Sequence, residues 1–303
     1  MRRSAAKPGP VPSPLLTNVL IALLCLVWGS TWLVIKVGLE ELPPLGSAGV
    51  RFIVAGVTMA AVCAWLARRE GGGRPPRSAV LAHGLCQFVL NYALVYASET
   101  VLPSGLVSVL WSVFPLMMAL TGHFVTRSEP LRARQWLGFV IAFFGIVILF
   151  FTDVARISPR AIGMGLLLLL APLSVTFSTT YVKVRAATAS SLLLNRDAML
   201  IGGVVLLGLS SASESEAPLS FTPAALGSIL YLALAGTVFT FGVYMWLLRH
   251  VPAYRLSLTA YVTPVVALLF GATLGGEPLR LSTIAGTGLV LGGVVLSLRP
   301  RRT

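Results

Sequence analysis

Stretches of about twenty apolar residues recur along this chain almost without interruption, and that recurrence limits its fold more than any other feature. A helix rises about 1.5 Å per residue, so about twenty apolar residues cross the hydrocarbon of a bilayer. Ten such runs are read near 17–38, 45–67, 79–99, 103–126, 135–152, 160–182, 191–210, 224–248, 254–275 and 281–298. No connection exceeds about a dozen residues, which leaves no room for a separate soluble domain. Only 11% of the residues are charged, against about a quarter in a soluble domain. Inside lipid a helix satisfies its backbone hydrogen bonds within one segment. The expected fold is therefore an all-α integral membrane protein with ten transmembrane helices.

The net charge of +13 invites a nucleic-acid reading, but the positions of the bases oppose it. With alternating spans and a cytoplasmic N-terminus, eighteen of the 23 Lys and Arg fall on the inner side. Only Arg156, Arg160 and Arg280 fall outside, and Lys36 and Arg51 lie within spans. This bias is the positive-inside pattern, and it predicts that both termini are cytoplasmic. The partners expected are a small solute and the lipid bilayer, with no nucleic acid; homodimerisation is left open. The three cysteines all fall within predicted helices, and neither a disulfide framework nor metal-ligand spacing is present. No cofactor is implied. The basic, Pro-rich start is read as a tail over residues 1–16, and 299–303 as a second tail.

The chain also repeats itself. Pro103, Ser108, Val113 and Pro115 precede Pro252, Ser257, Val262 and Pro264 by 149 positions. After the loss of one residue, Glu129-Pro130-Leu131-Arg132, Gly138 and Gly145 precede Glu277-Pro278-Leu279-Arg280, Gly286 and Gly293 by 148. Five spans separate the two E-P-L-R turns, and an odd number places them on opposite faces of the membrane. The expected architecture is two inverted five-helix repeats, 17–152 and 153–298, around a central cavity. Pro115 and Pro264 fall mid-span, where a missing N–H leaves the carbonyls of Trp111 and Ala260 without helical partners. They are candidate kink or gating points. The E-P-L-R glutamates are expected to accept backbone N–H bonds nearby. The spaced glycines are expected to let the last spans approach closely.

Polar residues within spans are costly, so the faces they occupy are informative. His83, Gln87 and Asn91 share one face of the third span, flanked by Tyr92 and Tyr96. Asn91 aligns with Thr240, and Thr237, Thr240 and Tyr244 share a face of the eighth. Thr176 and Thr180 are in line on the sixth, and Trp28, Ser30, Thr31 and Trp32 cluster on the first. The candidate solute-binding set is Trp28, Ser30, Arg51, Gln87, Asn91, Tyr92, Trp111, Thr176, Thr180, Thr240 and Tyr244. Such aromatic walls with uncharged hydrogen-bonding groups suit a small amphipathic solute. Arg51 is the candidate carboxylate contact; Lys36 is expected to snorkel or to pair with Glu40 or Glu41. Glu99 and Asp197 lie near span ends and no acid is central, so facilitated export, exchange and proton antiport stay open. No P-loop and no zinc motif is present.

The segment WGSTWLVIKVGLEELPPLGSAGVRF resembles the opening of EamA-like proteins in the drug/metabolite transporter superfamily. The paired mid-span prolines, and the glutamate before a Gly-spaced final helix in each half, resemble the same family. The resemblance covers nearly the whole chain. It implies ten helices in two inverted halves around a cavity, and export or exchange of small metabolites, often amino acids, across the inner membrane. A clear second-half W-G-S is missing. The expected activity is secondary transport by alternating access, with no enzymatic chemistry. The rivals are a nucleotide-sugar or phosphorylated-metabolite carrier, which would want more bases in its spans, and a non-transporting membrane sensor.

Overall fold

The computed structural model describes residues 13–70, 72–125, 127, 131–217, 220–250, 256 and 259–298. Glu129, Pro130, Pro252 and Ser257 of the repeat lie outside the described residues, as do 1–12 and 299–303 of the two tails. The helical stretches are α1 (Pro14–Gly38), α2 (Pro44–Glu70), α3 (Arg77–Glu99), α4 (Ser104–Phe124), α5 (Ala133–Val154), α6 (Pro159–Arg185), α7 (Ser191–Ser213), α8 (Pro223–Tyr244), α9 (Thr259–Thr273) and α10 (Leu281–Leu298). No strand occurs among the described residues. The first eight are long and apolar enough to cross a membrane; α9 and α10 are apolar but shorter.

The helix starts follow from local chemistry. Ser13, Ser158, Ser190 and Thr222 each accept a bond from the N–H three residues on, which satisfies one of the orphan donors at a helix start. Pro14, Pro159 and Pro223 follow three of these caps, where a missing N–H costs nothing. Pro44 opens α2 and Pro103 caps α4. α9 ends before Gly275-Gly276, and Gly276 has a φ of +62°, a conformation that glycine adopts without the usual steric penalty.

Outward faces stay apolar: Phe143, Phe144 and Phe151 of α5 and Leu166 of α6 are all exposed. That is the expected face toward lipid tails, where helix association rests on close packing instead of water exclusion. The closest pairs are α2 with α7 and α5 with α10. A Cβ on Gly138 would sit 2.6 Å from the Gly293 carbonyl oxygen, and one on Gly145 2.8 Å from that of Gly286. The pairing order runs backwards, so α5 and α10 are antiparallel. Gly49 and Gly56 of α2 meet Leu207 and Leu200 of α7 in the same antiparallel sense. Several further close pairs come in matching sets: α1 with α9 and α6 with α4; α2 with α8 and α7 with α3; α1 with α8 and α6 with α3.

Two departures from regular α-helix also match. α3 carries a π-helical segment over Gly84–Leu90 and α8 over Tyr231–Phe239. The prolines do not match. α4 breaks at Ser112 and Val113, just before Pro115, whereas α9 runs unbroken through Pro264. Equal positions thus give a break in one helix and a tolerated internal proline in the other.

Candidate functional site

A cavity of about 390 Å³ lies among α1–α4, α8 and α9. Nine of the expected residues line it: Trp28, Arg51, Gln87, Asn91, Tyr92, Trp111 and Tyr244, with Pro115 and Pro264.

Arg51 is the charged residue of the wall among the described residues. It is 2% exposed, and its guanidinium lies 5.2 Å from the Phe52 ring centre and 4.9 Å from that of Tyr92. Nη1 donates to the Tyr96 hydroxyl at 3.2 Å; Nε and Nη2 donate to Thr237 Oγ1 at 3.4 and 3.2 Å. Thr237 is set by the π segment, because its hydroxyl donates five residues back to the Leu232 carbonyl at 2.7 Å. Gly236, beside it, admits the Thr31 methyl: a Cβ there would lie 2.8 Å from Thr31 Cγ2 and 3.9 Å from Arg51 Nη2. No carboxylate forms a salt bridge with Arg51 among the described residues. A guanidinium has five N–H donors, so these bonds leave capacity for an anionic oxygen.

Much of the rest of the wall is aromatic. Trp111 Nε1 donates to Asn91 Oδ1 at 2.9 Å, and Asn91 Nδ2 donates to the Gln87 carbonyl at 3.2 Å. Trp32 and Trp111 lie 6.2 Å apart between ring centres, and Trp28 and Tyr244 5.6 Å. The arrangement offers one cation, a few neutral donors and acceptors, and broad apolar faces, a combination that fits a small amphipathic anion or zwitterion.

Four expected residues lie elsewhere. Ser30 bonds the Val27 carbonyl and the Tyr231 hydroxyl, at 2.8 and 2.7 Å. Thr176 and Thr240 donate back into their own helices, to the carbonyls of Pro172 and Thr237. Thr180, on α6 with Thr176, is outside the lining as well; no residue of α6 lines the cavity among those described. α6 lacks the W-G-S that α1 carries. His83, at the foot of the α3 stripe, bridges helices instead: Nδ1 meets Ser178 Oγ at 2.7 Å and Nε2 meets Asn195 Oδ1 at 3.3 Å.

Residues not anticipated also join the wall, chiefly Ser108 and Ser112 on α4 and Thr259 and Thr263 on α9. Each pair is spaced by four, one helical face. That spacing beside Trp111, Pro115 and Pro264 was the available signal.

Beyond Ile35, Val95 and Ser108 the bundle is packed, with Glu99, Leu102 and Ser104 all fully buried. There Lys36 does not pair with Glu40 or Glu41. Its ammonium donates to the main-chain carbonyls of Glu99 and Leu102, at 2.5 and 3.0 Å, and so closes the end of α3. The glutamate of the second E-P-L-R turn works at long range. Glu277 accepts from the backbone N–H groups of Ser104 and Gly105, at 2.5 and 3.0 Å, and so caps α4. Glu214 does the same for α2 through Leu45 and Gly46, both at 3.0 Å. Glu99, which the sequence places at a span end, is 0% exposed.

The sequence profile of the EamA-like transporter family matches the chain twice, over residues 15–151 and 163–299. An Escherichia coli K12 protein named uncharacterized inner membrane transporter YedA is 32% identical over 90% of this chain and 87% of its own. The Bacillus subtilis transporter YoaV, also named uncharacterized, is 27% identical over 90% and 93%. A Salmonella typhimurium protein named probable amino-acid metabolite efflux pump is 29% identical over 94% and 96%. A solved crystal structure with 17% identity superposes with a TM-score of 0.66 over 94% of this chain and 98% of that one, a likeness of fold alone. A paired profile match across nearly the whole chain, with eight described helices long and apolar enough to cross a membrane, identifies this protein as a transporter of the EamA-like family.

Proposed function

We propose that this chain is a secondary transporter that moves small amphipathic solutes with a free carboxylate, amino-acid-like in kind, across the inner membrane by alternating access. The observation that carries this reading is Arg51: a buried guanidinium on the cavity wall, held by hydroxyls and aromatic faces, with no acidic partner among the described residues. A solute carboxylate would complete it, while the indole faces take up the apolar part. The name of the Salmonella relative, a probable amino-acid metabolite efflux pump, points the same way.

In this reading ten spans form two inverted five-helix halves, roughly residues 17–152 and 153–298, with both termini cytoplasmic. Support comes from the antiparallel α2/α7 and α5/α10 pairs and the contacts that match when each helix is exchanged for the fifth one on. The charge bias of the loops sets the orientation. The packed end that holds Glu99 and Ser104 then faces outward. A phosphorylated solute fits less well, because Lys36 is occupied with carbonyls and, among the described residues, Arg51 alone offers charge to the cavity.

The test compares an amphipathic amino acid with its methyl ester, in proteoliposome flux and in thermal shift of purified protein. The free acid is expected to raise the melting temperature more than the ester does. In Arg51→Lys the preference should shrink about tenfold in affinity, since the planar fork is lost while the charge remains. Equal stabilisation of the unmodified protein by acid and ester, across a panel of side chains, would remove the carboxylate from the recognition.

A further inference from the structure

The face of α3 that lines the cavity continues past it. His83, Gln87, Asn91, Val95 and Glu99 follow one another at steps of four; the middle three line the cavity, and Glu99 stands one turn beyond. Its carboxyl is fully enclosed, and neither oxygen has a hydrogen-bond partner among the described residues.

Among the described residues, the charged groups near it are engaged elsewhere. Lys36 on α1 donates to main-chain carbonyls, one of them that of Glu99 itself. Glu277, from the turn between α9 and α10, caps α4. Arg51 on α2 is held by Tyr96 and Thr237. Among the described residues, these three are the charged groups around Glu99. On α3 its titratable neighbour is Tyr96. α4 presents Ser104, which does not titrate, and the start of α6 carries Arg160, which is exposed.

An ionised carboxylate taken out of water requires donors, and the penalty for enclosing it without them far exceeds that for a neutral carboxyl. An ammonium within reach of such a carboxylate would turn to it, yet Lys36 bonds carbonyl oxygens. We propose that Glu99 is a proton-binding site that latches this end of the bundle: the end closes around the neutral carboxyl, and opening it releases the proton. The proton comes from water on that side and binds one carboxylate oxygen; no other covalent bond changes. The closed form therefore holds one proton more than the open form. Acid favours closure and alkali favours opening, with the loss of closure following deprotonation of Glu99.

The inference rests on the alternating-access reading, so its test reads conformation apart from flux. Spin labels at Thr100 and Leu279, both exposed at this end, report the distance between the proposed halves in nanodiscs, with the three native cysteines replaced by alanine. In the otherwise unmodified chain the longer-distance population should grow as pH rises from mildly acid to mildly alkaline. Glu99→Gln, a permanently neutral copy of the carboxyl, should hold the short distance at every pH. Glu99→Asp, which still titrates, should keep the dependence and serves as the reference if the glutamine variant does not fold. A Glu99→Gln chain with the original pH dependence, an aspartate variant without one, or an unmodified chain whose distances ignore pH would each overturn the latch. Failure of the transport reading would appear separately, as absence of solute flux with the distance change intact.

Discussion

Two neighbouring amides on α3 do different work. Gln87 lines the cavity, and among the described contacts nothing holds its side-chain amide. Asn91 is 3% exposed and spent at both ends, accepting from Trp111 Nε1 and donating to the Gln87 carbonyl. Gln87→Ala is therefore expected to raise the KM for solute about fivefold, the worth of one neutral hydrogen bond near 1 kcal/mol, with the melting temperature unchanged. Asn91→Ala should raise the KM and also lower the melting temperature, because it strands a partly buried indole N–H at a cost of about 1–3 kcal/mol. Flux kinetics together with melting curves check the split; equal effects of the two variants on both readouts would sink it. The polar stripe itself is legible in the sequence, from its spacing. The division of labour is not, because it depends on Trp111 arriving from another helix. Ser30, Thr176 and Thr240 were illegible for a related reason. A Ser or Thr in a helix can bond its own preceding carbonyls, and nothing in the sequence says which hydroxyls do so.

At the scale of elements, the glycines of α5 and α10 carry a definite expectation. Gly145 would place a Cβ 2.7 Å from the Val290 backbone nitrogen and 2.8 Å from the Gly286 carbonyl, where backbone cannot give way cheaply. Gly288, on α10 as well, has open space. Gly145→Ala should cost about 1–3 kcal/mol or more in stability, as overpacking does. Gly288→Ala should leave the melting curve in place or raise it slightly, since alanine suits a helix better. Comparable losses from both substitutions, measured by thermal unfolding in detergent, would refute close α5–α10 contact. The sequence announced these glycines through their repetition, and it announced the helices through apolar length. It did not announce the π segments, whose residues keep an ordinary apolar pattern, although they set Thr237 against Arg51. Nor did it separate the two prolines. Whether a helix breaks or absorbs a proline depends on the neighbours that take up the freed carbonyl, and the halves differ there.

For the whole molecule, the antiparallel pairing of α2 with α7 and α5 with α10 has a direct topological consequence. If each helix spans the bilayer, then helices five apart in order run in opposite directions, and the turns that precede α5 and α10 lie on opposite faces. Ala133, at the start of α5, and Leu279, just before α10, are both exposed and lie outside the cavity wall. Single cysteines at these positions, in a chain whose native cysteines are replaced, should react from different sides with a membrane-impermeant maleimide. Leu279→Cys should label in intact cells. Ala133→Cys should label only after permeabilisation, as the excess of Arg near that turn predicts from the positive-inside bias. Labelling of both from one side would mean that the duplicated halves share an orientation. The cavity would then join two parallel units, and the rocking of inverted halves around a midplane site would lose its geometric basis. The reverse assignment, Ala133→Cys outside and Leu279→Cys inside, would preserve the inverted halves but turn the Glu99 latch toward the cytoplasm, where the pH it senses is that of the cell interior.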